Sequence, residues 1–485
     1  MTTTAAKARV DPLALPLALW VGLGTIGALG IALTSSKIGS VPRPPGYRWW
    51  LDVPTGSYDV AHLFFYSSVA ILLLGWIGVG FQARHGRLSV AGAWRTLALW
   101  GGPLFAAAPV FSRDVYSYIA QGELVRHGFN PYLVAPRALG PGPVLSSIAV
   151  VWRDSTSPYG PLFVALTHVT NLLTPSSLIV QVLAYRTLGL IGVVLLMCTL
   201  PALARHFDVD GGVALWFGVL SPLALFSAIS SAHNDTLMIG LSSLALLVGI
   251  RGSRRWAIVL LSVAATIKLP ALAGVVFVSA GALRDVPPSR RWRIIGEAIA
   301  LPPLVIAAVT ELVGYGWGWL SPSALRIPTE LRVLTTPVVS VGKLGATTLH
   351  AIGLHVSTSA IVTATQYVSE LAAVALALVL VARTRKTNTV RMTGLALLIV
   401  VVASPTVWPW YYLWGLSLLA ATSAQRSLFM AWVAGLAMLL VGPGGTPMIG
   451  GNGFYASGPL VLAGLFWFWS RDHWRTIFDG VDRVE

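Results

Sequence analysis

Apolar residues in this chain gather into long uninterrupted runs instead of recurring every second or every third to fourth position, so the pattern predicts helices surrounded by hydrocarbon. Runs over residues 13–34, 58–81, 91–111, 178–203, 213–230, 236–250, 294–313, 361–381, 393–402, 410–421, 428–441 and 458–469 give twelve expected full crossings. Lys7 and Arg9 precede the first run, which is too long for a signal-peptide core and is read as a retained span. The run 159–170 is too short to cross alone and is expected to be re-entrant or partly inserted, and 338–354 is expected to be interfacial or re-entrant. Residues 256–283 would suffice for one crossing, yet basic clusters flank both ends; the conflict disappears if the chain folds back at Lys268-Leu269-Pro270, where proline removes a backbone donor and disfavours helix before it. Residues 112–157 contain no spanning run, and a connection of that length is usually functional.

Composition sharpens this into a fold class. Hydrophobic residues make up 55% of the 485 and charged residues 11%, with a mean hydropathy of +0.74, against about 25% charged in soluble domains. A water-soluble enzyme is excluded, and an all-α, polytopic membrane protein is expected. The net charge of +15 would suggest nucleic acid in a soluble chain; here the basic residues punctuate apolar runs, so they act as topology signals and no nucleic-acid partner is expected. The positive-inside rule puts Arg84, Arg87, Arg251, Arg254, Arg255, Arg284 and the cluster at 290–293 in the cytoplasm, together with both termini, and leaves 112–157 outside. The expected organisation is a cytoplasmic N-terminus (1–12), three spans (13–111), an outer catalytic loop with surface and re-entrant helices (112–177), a transmembrane helical bundle (178–470) and a cytoplasmic C-terminus (471–485). The single cysteine, Cys198, lies inside a run, so neither a disulfide framework nor a thiolate metal site is available. No inverted pair of broken segments marks a secondary transporter, and Glu370 alone among the acids lies near the middle of a run.

So few acids allow an elimination. Outside or at membrane depth remain Asp52, Asp59, Asp114, Glu123, Asp154, Asp235, Glu311, Glu330 and Glu370. Asp114 directly follows a span, beside Arg113, and helical spacing puts Asp114, Tyr118 and Gln121 on one face of a helix along the membrane surface. From spacing alone Asp114 is either a helix cap or a general base. His233-Asn234-Asp235 at the outer end of a span either holds a ligand or caps the following helix. Lys268 at the tip of a broken hairpin is either a phosphate ligand or a snorkelling lysine. Trp408, Trp410, Tyr411 and Tyr412 at a span edge are either belt aromatics or sugar-stacking rings. The glycine-rich 442–445 reads as a turn, and the scattered histidines and acids give no metal-ligand spacing, so no metal or other cofactor is expected.

Three stretches carry a resemblance. Phe111-Ser112-Arg113-Asp114-Val115-Tyr116-Ser117-Tyr118, Gly128-Phe129-Asn130-Pro131-Tyr132 and Trp152-Arg153-Asp154-Ser155-Thr156-Ser157-Pro158-Tyr159-Gly160-Pro161-Leu162 resemble the first outer loop of actinobacterial polyprenol-phosphate-mannose-dependent α-(1→6)-mannosyltransferases, which are GT-C integral-membrane glycosyltransferases. His233-Asn234-Asp235, Ile267-Lys268-Leu269-Pro270 and residues 404–411 match more loosely. The resemblance implies a GT-C-like bundle in the plasma membrane with its site on the extracytoplasmic side, a lipid-linked mannose donor, and an acceptor of the mannan or phosphatidylinositol-mannoside type. It also implies an outer-loop aspartate as base, which maps onto Asp114. Arg113, Arg153, His233 and Lys268 are then candidates for the donor phosphate, and Tyr118, Gln121, Asp154, Tyr159, Asn234, Asp235, Trp408 and Trp410 for other substrate contacts.

Overall fold

The computed structural model describes residues 15–42, 48–51, 54, 56–174, 177–322, 324, 336–422 and 442–445. Among the described residues there are helices and no strands. Helices α1 (Leu17–Ile38), α2 (Tyr58–Arg84) and α3 (Val90–Ala106) pack together; Ser57 and Ser89 cap α2 and α3 by accepting from the Val60 and Gly92 amides. After α3 the chain crosses Ala107 in extended form and enters the expected outer loop, which holds α4 (Asp114–Arg126), α5 (Pro143–Ser147) and α6 (Pro161–Leu173). Then follow α7 (Leu178–His206), α8 (Gly211–Gly218), α9 (Pro222–Ser230), α10 (Asp235–Ile250), α11 (Arg254–Ala265), α12 (Leu272–Arg284), α13 (Pro288–Val313), α14 (Pro337–Ala351), α15 (Thr358–Arg383), α16 (Thr389–Ala403) and α17 (Leu413–Ala420).

Six helices among the described residues are long and apolar enough to cross a membrane, and a seventh span results if α8 and α9, bent by 51°, count as one. This is the build of a multi-pass membrane protein. The remaining expected crossings fall into two groups: several apolar runs end early or break, and two lie outside the described residues. The run 91–111 leaves the helix at Ala106, three residues after Pro103. The run 236–250 lies in the 16-residue α10, about 24 Å long, and 410–421 divides into a 3₁₀ turn (Pro409–Tyr412) and the eight-residue α17. The expected spans 428–441 and 458–469 lie outside the described residues.

Residues 254–284 fold back. α11 and α12, each about 20 Å at most, are too short to cross and pack on one another around a 3₁₀ turn at Leu269–Ala271. Arg254 and Asp285, at the two ends of this hairpin, line one cavity of about 190 Å³. Arg254 and Arg255 both pair with Glu297 of α13, which gathers the basic loops at the same end of the bundle. The hairpin tip therefore points to the other end, where the outer loop lies. Gly160 rests on it: a Cβ there would meet the Thr266 carbonyl oxygen at 2.1 Å, and the Leu162 amide donates to that same oxygen.

α4 departs from the surface helix expected. It is buried around most of its circumference, against α6 and α7. Gly122 permits the close approach to α6, and Asn171 donates both to the Ile119 carbonyl and to Glu123, while Gln181 of α7 donates to the same carboxylate. Tyr185 of α7 completes the link by donating to Asn171 Oδ1 at 2.7 Å.

Candidate active site

The hairpin tip, the N-terminus of α10, the start of α4 and the aromatic segment before α17 converge on one buried charged cluster. Asp114 is the first residue of α4 and makes no capping bond; its carboxylate, 14% exposed, lies 3.6 Å from His233 Nδ1 and accepts a hydrogen bond from the side chain of Trp152. Asn234 likewise occupies the cap position of α10 without a side-chain cap bond, and Asp235 follows it into the helix. Asp235 is fully buried, pairs with Lys268 Nζ at 2.7 Å and accepts from the Trp414 indole. Lys268 also sits over the rings of Tyr411, 4.4 Å from the centroid, and Trp414, 5.2 Å. His233 stacks on Trp410 at 3.8 Å, and Trp410 stacks on Trp408 at 5.0 Å. Tyr118 and Tyr159 meet edge to face at 5.3 Å.

Burial dominates the electrostatics. It pushes the Asp114 carboxyl up to about 7; the Lys268 ammonium and the Trp152 hydrogen bond pull the other way, and Asp235 adds to the rise. Burial, reinforced by Lys268, holds the His233 imidazole well below its ordinary range and therefore neutral. Six buried side-chain atoms on residues 233–236 make no hydrogen bond within the protein: both ring nitrogens of His233, both amide atoms of Asn234, Asp235 Oδ2 and Thr236 Oγ1. A buried polar atom left unsatisfied costs about 1–3 kcal/mol, so this density of orphan atoms beside two carboxylates and an ammonium makes the cluster the candidate site for a polar ligand. Among the described residues no three His, Cys, Asp or Glu side chains converge on a metal-sized site.

Comparison with known proteins bears on what that ligand is. Residues 21–284 match the family described as alpha-(1→6)-mannopyranosyltransferase, N-terminal domain, and residues 338–467 match the MptB C-terminal domain. The chain is 30% identical to alpha-(1→6)-mannopyranosyltransferase A of Mycobacterium tuberculosis, over 87% of its own length and 84% of that protein's. The chain belongs to the α-(1→6)-mannopyranosyltransferase family. It is also similar to alpha-(1→6)-mannopyranosyltransferase B of Corynebacterium glutamicum, at 28% identity over 85% of this chain and 74% of the relative. Both matched regions of this mannopyranosyltransferase-family chain supply the cluster: Asp114, Trp152, His233, Asp235 and Lys268 come from the first, and Trp408, Trp410, Tyr411 and Trp414 from the second.

Several residues singled out from sequence sit outside the ligand-facing group. Arg113 is buried and its guanidinium donates to the carbonyls of Gly444, Val41 and Ser147, so it ties the segment leading into Asp114 to those three places. Arg153 donates from Nη2 to the carbonyls of Ser146 and Ile148, while its buried Nε has no hydrogen-bond partner within the protein. Asp154 is 61% exposed and paired with Arg137, whose guanidinium holds its carboxyl below the usual range. Gln121 Oε1 accepts from Ser157, which ties α4 to the 157–160 segment. Glu370 is exposed on α15 and is not among the contacts of the cluster. The structure adds Trp152 and Trp414 to the cluster and the buried Arg186 behind it. Arg186 was detectable as a lone cation within an apolar run, by the same rule that flagged Lys268, and Trp414 lies one helical turn beyond Trp410.

Proposed function

We propose that this protein transfers mannose, with inversion, from polyprenyl-phosphate-β-mannose to O6 of an α-(1→6)-mannan acceptor during lipomannan or lipoglycan biosynthesis. It works in the plasma membrane, with the site open to the extracytoplasmic face. The observation that carries the reading is the Asp114 carboxyl, set near 7 and flanked by Lys268 and by orphan polar atoms. Inversion needs one base. Asp114 takes the proton from the acceptor 6-hydroxyl as that oxygen attacks the anomeric carbon; the bond from carbon to phosphate oxygen breaks, and polyprenyl phosphate leaves with one further negative charge. The leaving group needs cations and donors rather than a general acid. Lys268, held by Asp235 and the Tyr411 and Trp414 rings, supplies the charge; the neutral His233 and Asn234 offer hydrogen bonds to phosphate or sugar hydroxyls.

The test is incubation of the purified protein with radiolabelled polyprenyl phosphomannose and short α-(1→6)-linked mannosides. Label is expected in a longer mannoside with wild type and not with Asp114→Asn. Absence of transfer to any mannoside by folded wild-type protein rejects the reading, and release of intact labelled donor across the bilayer would point to transport instead.

A further inference from the structure

Arg186 is fully buried within α7; its guanidinium lies 5.9 Å from the centroid of the Trp49 ring and hydrogen-bonds to backbone carbonyls. Nε and Nη2 donate to the Ser230 oxygen at 2.9 and 2.6 Å, while Nη1 donates to the Ala107 oxygen at 2.7 Å and to that of Phe105. Phe105 and Ala107 bracket the C-terminus of α3, and Ser230 ends α9. Terminal carbonyls of a helix have no partner inside it, and they carry the negative end of its dipole. One guanidinium therefore caps two helices that converge at an angle, which is how a cation without a carboxylate is tolerated there.

The chain leaving each of those helix ends leads to one of the two facing residues of the site, Asp114 or His233. From Ala107 the chain runs through Phe111, at φ +66°, to Asp114; from Ser230 it runs through Ala232, at φ +56°, to His233. Non-glycine residues in that left-handed region cost about 1–3 kcal/mol each and persist only where their surroundings hold them. The two segments are stitched above Arg186: the Val110 amide donates to Ser230 Oγ at 3.2 Å, and Ser231 Oγ donates to the Val110 oxygen at 2.6 Å. Asp114 and His233 emerge 3.6 Å apart.

We infer that Arg186 is a positioning residue: by capping α3 and α9 together it closes a clamp that sets the Asp114 carboxylate against His233 and keeps water from that junction. The inference rests on the reading of Asp114 as the base. Lysine cannot replace it, because a single nitrogen lacks the planar fork that reaches both helix ends.

The experiment uses the full chain in lipid nanodiscs, with Arg186→Lys, Arg186→Met and the milder Ser231→Ala, and reads kcat, donor KM and the pH dependence of kcat/KM. Arg186→Lys is expected to lower kcat about tenfold to a hundredfold, as sub-ångström to ångström misplacement of a reacting group does, with donor KM little changed. Water entering the loosened clamp relieves the burial of Asp114, so the acid limb of kcat/KM moves from near 7 to lower pH. Ser231→Ala should shift both in the same directions by less. Wild-type kcat and an unmoved limb in folded Arg186→Lys overturn the inference; if the Arg186 variants do not fold, the same result in folded Ser231→Ala overturns it. An Asp114→Asn enzyme with wild-type activity overturns the base assignment and the inference together, whereas an inactive Asp114→Asn beside an unmoved Arg186→Lys overturns the inference alone.

Discussion

Lys268 and Arg186 are both cations set into apolar helical surroundings, and their hydrogen-bond inventories differ. The Arg186 guanidinium is spent on three backbone carbonyls at two helix ends. Lys268, 17% exposed, has one carboxylate and two aromatic faces, and around it lie carboxylate, amide and imidazole atoms with no partner in the protein. A charge whose inventory is closed serves the scaffold; a charge whose neighbours stay open serves something that arrives. The distinction comes from counting donors and acceptors rather than from depth in the bundle.

Asp114→Asn is the most severe test of the open region. Transfer should fall by about 10²–10⁴-fold with donor binding retained, since only the proton acceptor is removed. The same variant separates catalysis from folding. Asp114 binds a proton more tightly folded than unfolded, so the fold loses stability as pH climbs from the ordinary carboxylate range through about 7. Asp114→Asn should therefore melt higher than wild type at pH 8, with the gap narrowing as pH falls. Lys268→Met comes next: transfer weakens, donor KM rises, and the acid limb of kcat/KM moves above 7 because the ammonium that pulls the Asp114 carboxyl down is gone. Lys268→Arg should keep part of the activity, and equal, near-wild-type behaviour of both variants would return Lys268 to the scaffold.

For the closed region the larger readout should be stability. Arg186→Met leaves carbonyls at two helix ends unsatisfied, at about 1–3 kcal/mol each, so its melting temperature should fall far more than that of Lys268→Arg, which keeps a cation beside the buried Asp235. A reversed order would erase the comparison. Asp154→Asn is the smallest effect: an exposed carboxylate paired with an exposed arginine should leave transfer and melting near wild type, and strong loss of transfer would make Asp154 rather than Asp114 the candidate base.

Apolar runs and basic punctuation made the helical membrane class and the fold-back at Lys268 readable, since both depend on local composition. Helix lengths were less readable: hydropathy continues past Ala106, but the backbone leaves the helix there. At the site, Asp114, His233, Asp235 and Lys268 stood out as rare charged or polar groups among apolar ones. Which arginine spends itself on carbonyls did not, because Arg113 and Arg153 look identical to ligand-binding arginines until the backbone path of residues 41, 146–148 and 444 is known. Trp414 was hidden for the same reason, its partner Asp235 lying 179 positions away in sequence.

The double cap also bears on the order in which the chain enters the bilayer. Synthesis proceeds from the N-terminus, so the α3 carbonyls at Phe105 and Ala107 are in place before α7 arrives, while Ser230 follows 44 residues after Arg186. On that order the arginine would insert half satisfied, carried by a long apolar helix, with its remaining donors waiting for α9. Truncation after residue 206 would strand them in hydrocarbon, and truncation after residue 235 would not. Insertion efficiency of α7 in ribosome-bound chains of those two lengths would show the second half of the clamp being laid down.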